Sequence, residues 1–272
     1  MTEVPSLYFK PNYLSDIQSW HGHVFFLHDL ISEINPSNIV ELGVHKGDSL
    51  FSMAQSCNDL KCKTKLYGID HWKGDSQAGK VDDKIFSNVS NISNNYFKNV
   101  SLIKSSFDDA LKSFENKSLD IIHIDGFHSY EATKNDFENW IPKLKNDGVL
   151  MMHDISSLND DFGVVDFWNE IKREFTTVEF EHSQGLGVLF NSGFKKKTNY
   201  FKRLLNPKYL EFFKIYYSLC STKLRIEKLL DGAINPFEKQ MYLTEYTHLK
   251  NACLQQSKNL SNRKFPFNFI NV

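Results

Sequence analysis

The run Thr177-Val178-Glu179-Phe180-Glu181-His182-Ser183-Gln184-Gly185-Leu186-Gly187-Val188-Leu189-Phe190 decides the fold. Residues 177–182 and 185–190 read as strands. The two residues between them, Ser183 and Gln184, are too few for a crossover helix, so the pair closes as an antiparallel hairpin. Upstream lie five short apolar runs, at residues 38–43, 65–70, 100–104, 120–125 and 148–154. Each is rich in aliphatic or β-branched residues and bounded by Gly, Asn or Asp, as buried strands are. Helix-length segments separate them, at about 47–58, 82–98, 108–115, 130–145 and 161–175. Strands alternating with helices make a parallel sheet covered on both faces. The expected fold is therefore α/β, a seven-stranded, doubly wound, Rossmann-like sheet that ends in an antiparallel hairpin.

Working outward, residues 1–37 form an N-terminal helical segment, with a helix near 20–31 and Pro36 beyond its end. Residues 38–193 hold the sheet. Residues 194–272 show no strand alternation and read as a helical C-terminal appendage, with helices near 207–230 and 235–256. The charge divides at the same place. Residues 1–193 carry 17 Lys+Arg against 28 Asp+Glu, and residues 194–272 carry 15 against 5, within a total of 32 against 33. A basic tail with 14 aromatic residues on an acidic body suggests a second module with its own partner.

Composition narrows the class. With 41% hydrophobic and 24% charged residues the chain is not disordered. No apolar run is long enough to span a membrane. The first residues lack the basic-then-apolar order of a secretory signal. Cys57, Cys62, Cys220 and Cys253 include no C-x-x-C pair, which argues against a zinc site or disulfide scaffold and for reduced thiols in a cytoplasmic protein.

In a doubly wound sheet, ligands bind at the carboxyl ends of the strands where strand order reverses. The first strand runs into Glu41-Leu42-Gly43-Val44-His45-Lys46-Gly47-Asp48-Ser49, and the second ends in Asp70. Gly43 and Gly47 allow close backbone approach, the next helix offers free N–H groups to a carboxylate, and Asp70 can accept from ribose hydroxyls. The G-x-G-x-x-G fingerprint of pyrophosphate binding is missing. Together with the closing hairpin, this favours S-adenosylmethionine over a nicotinamide dinucleotide.

VELGVHKGDS, YGIDHWKGD, DIIHIDGFHSYEATKNDFENWIPKL, GVLMMHD and FGVVDFW, across about residues 18–190, resemble class I S-adenosylmethionine-dependent methyltransferases. The nearest subgroup is bacterial methyltransferase family 24, whose members accompany glycosyltransferases of surface-polysaccharide pathways. A more distant likeness is to the macrocin O-methyltransferases, which use a divalent metal. The resemblance implies that Glu41, Gly43, Gly47 and Ser49 hold the methionine end of the cofactor and Asp70 the ribose. It places His71 and Trp72 on the adenine side, Ser106 at the adenine edge, and Asp125 beside the cofactor. In the metal-dependent relatives, aspartates at the positions of Asp125, His153 and Asp154 bind the ion; His153 departs from that pattern.

The densest polar cluster, His123, Asp125, His128, Tyr130, His153 and Asp154, falls at the ends of the fourth and fifth strands. Alternation keeps His123 inside the strand, as an internal hydrogen-bonded histidine. Asp125 and Asp154 should converge, and adjacent carboxylates need a proton or cation between them. Asp125, His153 and Asp154 are thus the candidate metal ligands for Mg²⁺ or Mn²⁺. The candidate catalytic residues are His128 as base, with Asp125 and His153. Trp20 and Trp72 are candidates to line an acceptor cleft, and His21, His23 and His182 match residues typical of the resembled subgroup.

These readings lead to an O-methyltransferase acting on a sugar hydroxyl of a bacterial surface polysaccharide or glycosylated metabolite. An NAD-dependent oxidoreductase and a non-catalytic, cofactor-binding scaffold in a glycan-assembly complex are the alternatives. The tail is expected to meet a glycosyltransferase partner, an anionic inner-membrane surface or a second copy of the chain, or to dock on its own acidic body. No nucleic-acid recognition motif is present.

Overall fold

The computed structural model describes residues 4–75, 79–80, 82–159, 162–195 and 197–261. Seven strands build the main sheet: β1 (Asn38–Leu42), β2 (Lys65–Asp70), β3 (Val100–Lys104), β4 (Leu119–Ile124), β5 (Leu144–His153), β6 (Thr176–Phe180) and β7 (Leu186–Phe190). Their order is β3-β2-β1-β4-β5-β7-β6. The first five are parallel, and β7 runs antiparallel to both β5 and β6. The expected fold class is present, closing hairpin included. Strand order reverses between β1 and β4, which opens a crevice at their carboxyl ends.

The helices are α1 (Val24–Ile34), α2 (Asp48–Asp59), α3 (Asp83–Tyr96), α4 (Phe107–Ala110), α5 (Tyr130–Trp140), α6 (Val164–Ile171), α7 (Asn199–Leu204), α8 (Pro207–Gly232) and α9 (Pro236–Ser261). Strand alternation divides the core into two layers. Ile39, Ile121, Val149, Met151 and Val188 face the layer that contains α1, α2 and α8. Val40, Ile122, Leu150, Met152 and Leu189 face α5 and α6. Trp140, Phe167 and Trp168 are buried in that second layer.

Several boundaries differ from the sequence reading, among them the hairpin, whose strands stop at Phe180 and resume at Leu186 so that residues 181–185 form the turn. The helix expected over 130–145 stops at Trp140, because Pro142 lacks the N–H to continue it, and β5 begins at Leu144. The division expected at residue 193 is a change of element type without a break in the core. Asn206 caps α8 by accepting from Lys208 N, with Pro207 in the first turn. The helix then buries Phe212, Phe213, Tyr216, Tyr217, Cys220 and Leu224 in the same layer as α1. Tyr217 donates to Asp29 Oδ2 at 2.8 Å, and Ser6 reaches both Asp29 oxygens from the N-terminal segment. Aromatic residues that read as a partner surface therefore cover the sheet's own helix layer. The outward end of the α8–α9 pair leaves Ile234 and Phe237 exposed. Among the described residues no helix is long and apolar enough to cross a membrane.

Candidate active site

The turn after β1 is shaped by its glycines. Gly43 has φ +90°, and a Cβ there would stand 1.9 Å from the Asp125 carbonyl oxygen, so β1 and β4 can finish side by side only with glycine. Gly47, at φ +87°, precedes α2, and its Cβ would meet the Phe51 ring at 2.6 Å. Asp70 pins the turn from β2. Its Oδ2 accepts from Val44 N (3.0 Å) and His45 N (2.9 Å), and its Oδ1 accepts from Trp72 N (2.6 Å). Trp72 is buried and donates its indole N–H to the His45 carbonyl at 3.0 Å. Asp70 thus lines the crevice while also holding the backbone of the glycine turn.

Glu41, one residue before the end of β1, is fully buried. Its Oε1 accepts from Ser49 Oγ and lies 2.9 Å from His123 Nδ1. Its Oε2 has no partner among the described residues. Burial raises the Glu41 pKa, against the opposing hydrogen bonds from His123 and Ser49. His123 Nε2 and Trp20 Nε1, also buried, lack partners as well, and the Trp20 and His123 rings sit 4.9 Å apart. Buried polar atoms without partners are rare. Grouped at a crevice, they fit a ligand that carries its own donors and acceptors, and Oε2 suits an ammonium group. His123 is the internal, hydrogen-bonded histidine expected from strand alternation.

A cavity of about 400 Å³ is lined by Trp20, Gly43, Ser49, Asp70, His71, Trp72, Ser106, Asp125, His128, His153 and Asp154 among others. Glu41 and His123 are not in its wall but touch the lining residues Ser49 and Trp20. His71 is half exposed and accepts from Lys73 N at 3.0 Å. Ser106 caps α4, accepting from Asp109 N at 3.2 Å.

At the far end two carboxylates and two imidazoles interlock. His128 Nε2 lies 2.9 Å from Asp154 Oδ2 and 3.5 Å from Asp125 Oδ1. His153 Nδ1 lies 3.2 Å and 3.4 Å from the same two oxygens. The His128 ring stacks on Phe162 at 4.3 Å. Burial works against both imidazolium ions, but the two carboxylates outweigh it, lifting His128 to about 9 and His153 to about 10. Asp125 is held well below the carboxylate range despite burial, because His153 and His128 face it. The Asp125, His128 and Asp154 ligand atoms all lie within 4.8 Å of one another. The sequence reading placed His153 in that set and gave His128 the role of base only; the geometry puts His128 among the candidate ligands.

Other residues reach the site from far away in the chain. Lys228 on α8 donates to His21 Nδ1 (3.2 Å), so His21 Nε2 carries the hydrogen toward Asp48 Oδ1 (3.1 Å), and Asp48 lines the cavity. A Cβ on Gly22 would stand 2.1 Å from Ser183 Oγ and 2.5 Å from Ser221 Oγ, so the N-terminal turn, the β6–β7 hairpin and α8 meet there. Asp136 also lines the cavity. Asp48 and Asp136 lie within the motifs that carry the family resemblance but have no role in the sequence reading, and Lys228 lies outside every motif.

Residues 40–155 match the profile of methyltransferase family 24, described as a methyltransferase domain. The strand order and the glycine turn fit that match. The uncharacterized protein y4gI of Sinorhizobium fredii is 34% identical over 181 residues, 66% of this chain, and the chain spans about 20% of that protein's length. Among solved structures, the SAH-bound Podospora anserina methyltransferase PaMTH1 aligns with a TM-score of 0.48 at 13% identity, over 65% of this chain and 88% of its own. The O-methyltransferase from Bacillus cereus, in complex with SAH, aligns with a TM-score of 0.47 at 17% identity, over 67% and 84%.

Proposed function

We propose that this chain is an O-methyltransferase that moves the methyl group of S-adenosylmethionine to a hydroxyl of a sugar-containing acceptor, in a bacterial surface polysaccharide or a glycosylated metabolite. The observation that carries the reading is the acid–histidine group of Asp125, His128, His153 and Asp154 in one cavity wall with the turn at Gly43 and Gly47, backed by the unpaired buried Glu41 Oε2 behind the cavity-lining Ser49. The cofactor supplies a methyl already activated on a sulfonium. Glu41 Oε2 would accept from its ammonium group, with Ser49 and the turn at Gly43 and Gly47 beside it, and Asp70 would face its ribose.

An alcohol is a weak nucleophile until its proton leaves. His128 holds its own proton while Asp125 and Asp154 are its counter-ions, so it takes a proton from an acceptor only after that charge is balanced otherwise. Two carboxylates and one imidazole suit Mn²⁺ or Mg²⁺. Asp125, Asp154 and His128 would hold such an ion, and the two imidazolium protons would leave with no change in the net charge of the group. Trp20, whose ring packs against His23, His123 and His153, lines the same cavity. The exposed Ile234 and Phe237 support a contact with a partner enzyme or a membrane surface. The deciding experiment is turnover of S-adenosylmethionine with glycan acceptors, with and without Mn²⁺. Cofactor binding without transfer to any hydroxyl would leave a binding scaffold instead.

A further inference from the structure

Two thiols meet where the C-terminal helices pack. Cys220 on α8 and Cys253 on α9 are buried, and their sulfurs lie 3.7 Å apart, with the Cys220 S–H directed at Cys253 Sγ. That is contact without a bond, since a disulfide holds its sulfurs about 2.05 Å apart. Burial alone would leave such thiols inert. Cys253, however, lines a cavity of about 290 Å³ between residues 7–11, α8 and α9, and Lys223 and Lys250 line it too. A small peroxide fits that space.

The two cysteines are not equivalent. The hydrogen bond from Cys220 and the nearby Lys223 ammonium hold the Cys253 thiol below its ordinary range, with burial opposing them. Burial drives the Cys220 thiol well up. Cys57, buried away from this cavity, is pushed up to about 12. We propose that Cys253 and Cys220 are a peroxide-responsive dithiol that closes to a disulfide joining α8 to α9.

The Cys253 thiolate attacks a hydroperoxide; an S–O bond forms, the O–O bond breaks, and the leaving alkoxide or hydroxide takes the thiol proton. Cys220 sulfur then attacks the Cys253 sulfenic sulfur; the S–S bond forms, the S–O bond breaks, and the Cys220 proton leaves in water. Two thiols are oxidised and one peroxide is reduced to water and an alcohol, or to two waters. The bond would cross-link α9 to the helix that brings Lys228 to His21.

The test treats the full chain with hydrogen peroxide, then alkylates it in denaturant and maps its peptides by mass spectrometry. The expected result is a Cys220–Cys253 cross-linked peptide while Cys57 stays alkylatable, reversal by dithiothreitol, and a higher Tm for the oxidised chain. In Cys220→Ser a sulfenic acid should be trapped by dimedone on Cys253, and in Cys253→Ser none should form on Cys220. No cross-link in the wild-type chain, or equal oxidation of Cys57 and Cys253, would overturn the proposal, and the wild-type result does not depend on the variants folding.

Discussion

His153 Nε2 lies 3.0 Å from the carbonyl oxygen of Ser183. A carbonyl only accepts, so Nε2 carries a hydrogen and Nδ1 is the nitrogen turned toward Asp125 and Asp154. Ser183 is in the left-handed region, as are Gln184 and Gly185 after it. His23 Nε2 reaches the same oxygen at 3.1 Å. The tip of the closing hairpin thus orients an imidazole of the acid–histidine group, and the strain of the two left-handed non-glycine residues, Ser183 and Gln184, is held in place by these contacts. Gly185→Ala should loosen that tip, since the added Cβ would stand 2.6 Å from Ser156 Oγ at φ +91°. Turnover should fall at least tenfold while cofactor affinity, read by calorimetry, changes little.

Glu41→Gln separates ligand binding from stability. The variant keeps the shape but loses the charge aimed at an ammonium group. Affinity for S-adenosylhomocysteine should drop tenfold or more, about 1.4 kcal/mol. The Tm should hold or rise, because the burial that raises the Glu41 pKa no longer acts on a charge. Unchanged affinity would remove Glu41 from the cofactor site.

Asp70→Ala removes three backbone hydrogen bonds along with the expected ribose acceptor. It should weaken cofactor binding by more than tenfold and also lower the Tm, in contrast to Glu41→Gln. A variant with normal Tm and normal affinity would contradict both roles.

If the acid–histidine group holds a divalent ion, chelator should abolish turnover and leave cofactor affinity nearly intact, and Asp154→Ala should do the same. Mn²⁺ affinity should decline as pH falls, because protons compete for His128. His128→Ala should remove one of the candidate ligands and so lower Mn²⁺ affinity and turnover together. Full turnover in chelator would exclude the ion and leave the histidines as the charge partners of the carboxylates.

Asp29 couples stability to pH. Burial raises its pKa to about 7, against hydrogen bonds from Ser6 and Tyr217. The folded chain therefore binds this proton more tightly than the unfolded chain, whose carboxyl titrates near 4. The contribution of Asp29 is fully present below that value and is lost as pH rises toward 7, on the order of 1 kcal/mol per pH unit. Asp29→Asn should flatten that part of the stability profile in urea titrations; an unaltered slope would place the linkage elsewhere.

A chain ending at residue 193 should not remain folded. Phe201, Leu204, Phe212 and Phe213 are buried in the layer over α1. Each contributes roughly 1.5–3 kcal/mol, and together they rival the whole stability of a typical domain. A soluble, cooperatively melting truncation would restore the separable tail that charge and composition suggest.

The sequence by itself determined the sheet, its closing hairpin and the glycine turn. Strands covered on both faces read as continuous apolar runs, and the connection between the last two strands, residues 181–185 in the structure, leaves no room for a crossover helix. It also located Glu41, Asp70, Asp125 and Asp154, because strand ends in a parallel sheet share one edge. Only the tertiary structure decided how those groups divide their bonds. Asp70 turned out to brace the turn it follows, and His128 joined the carboxylates, because donors and acceptors close on whatever the packed chain brings within about 3 Å. It also decided that the basic tail belongs to the core. Charge and aromatic content mark a segment as unusual, but a helix face buried against α1 and one turned to solvent have the same composition. Tyr217 meets Asp29 across 188 residues, and no local pattern encodes a contact that distant.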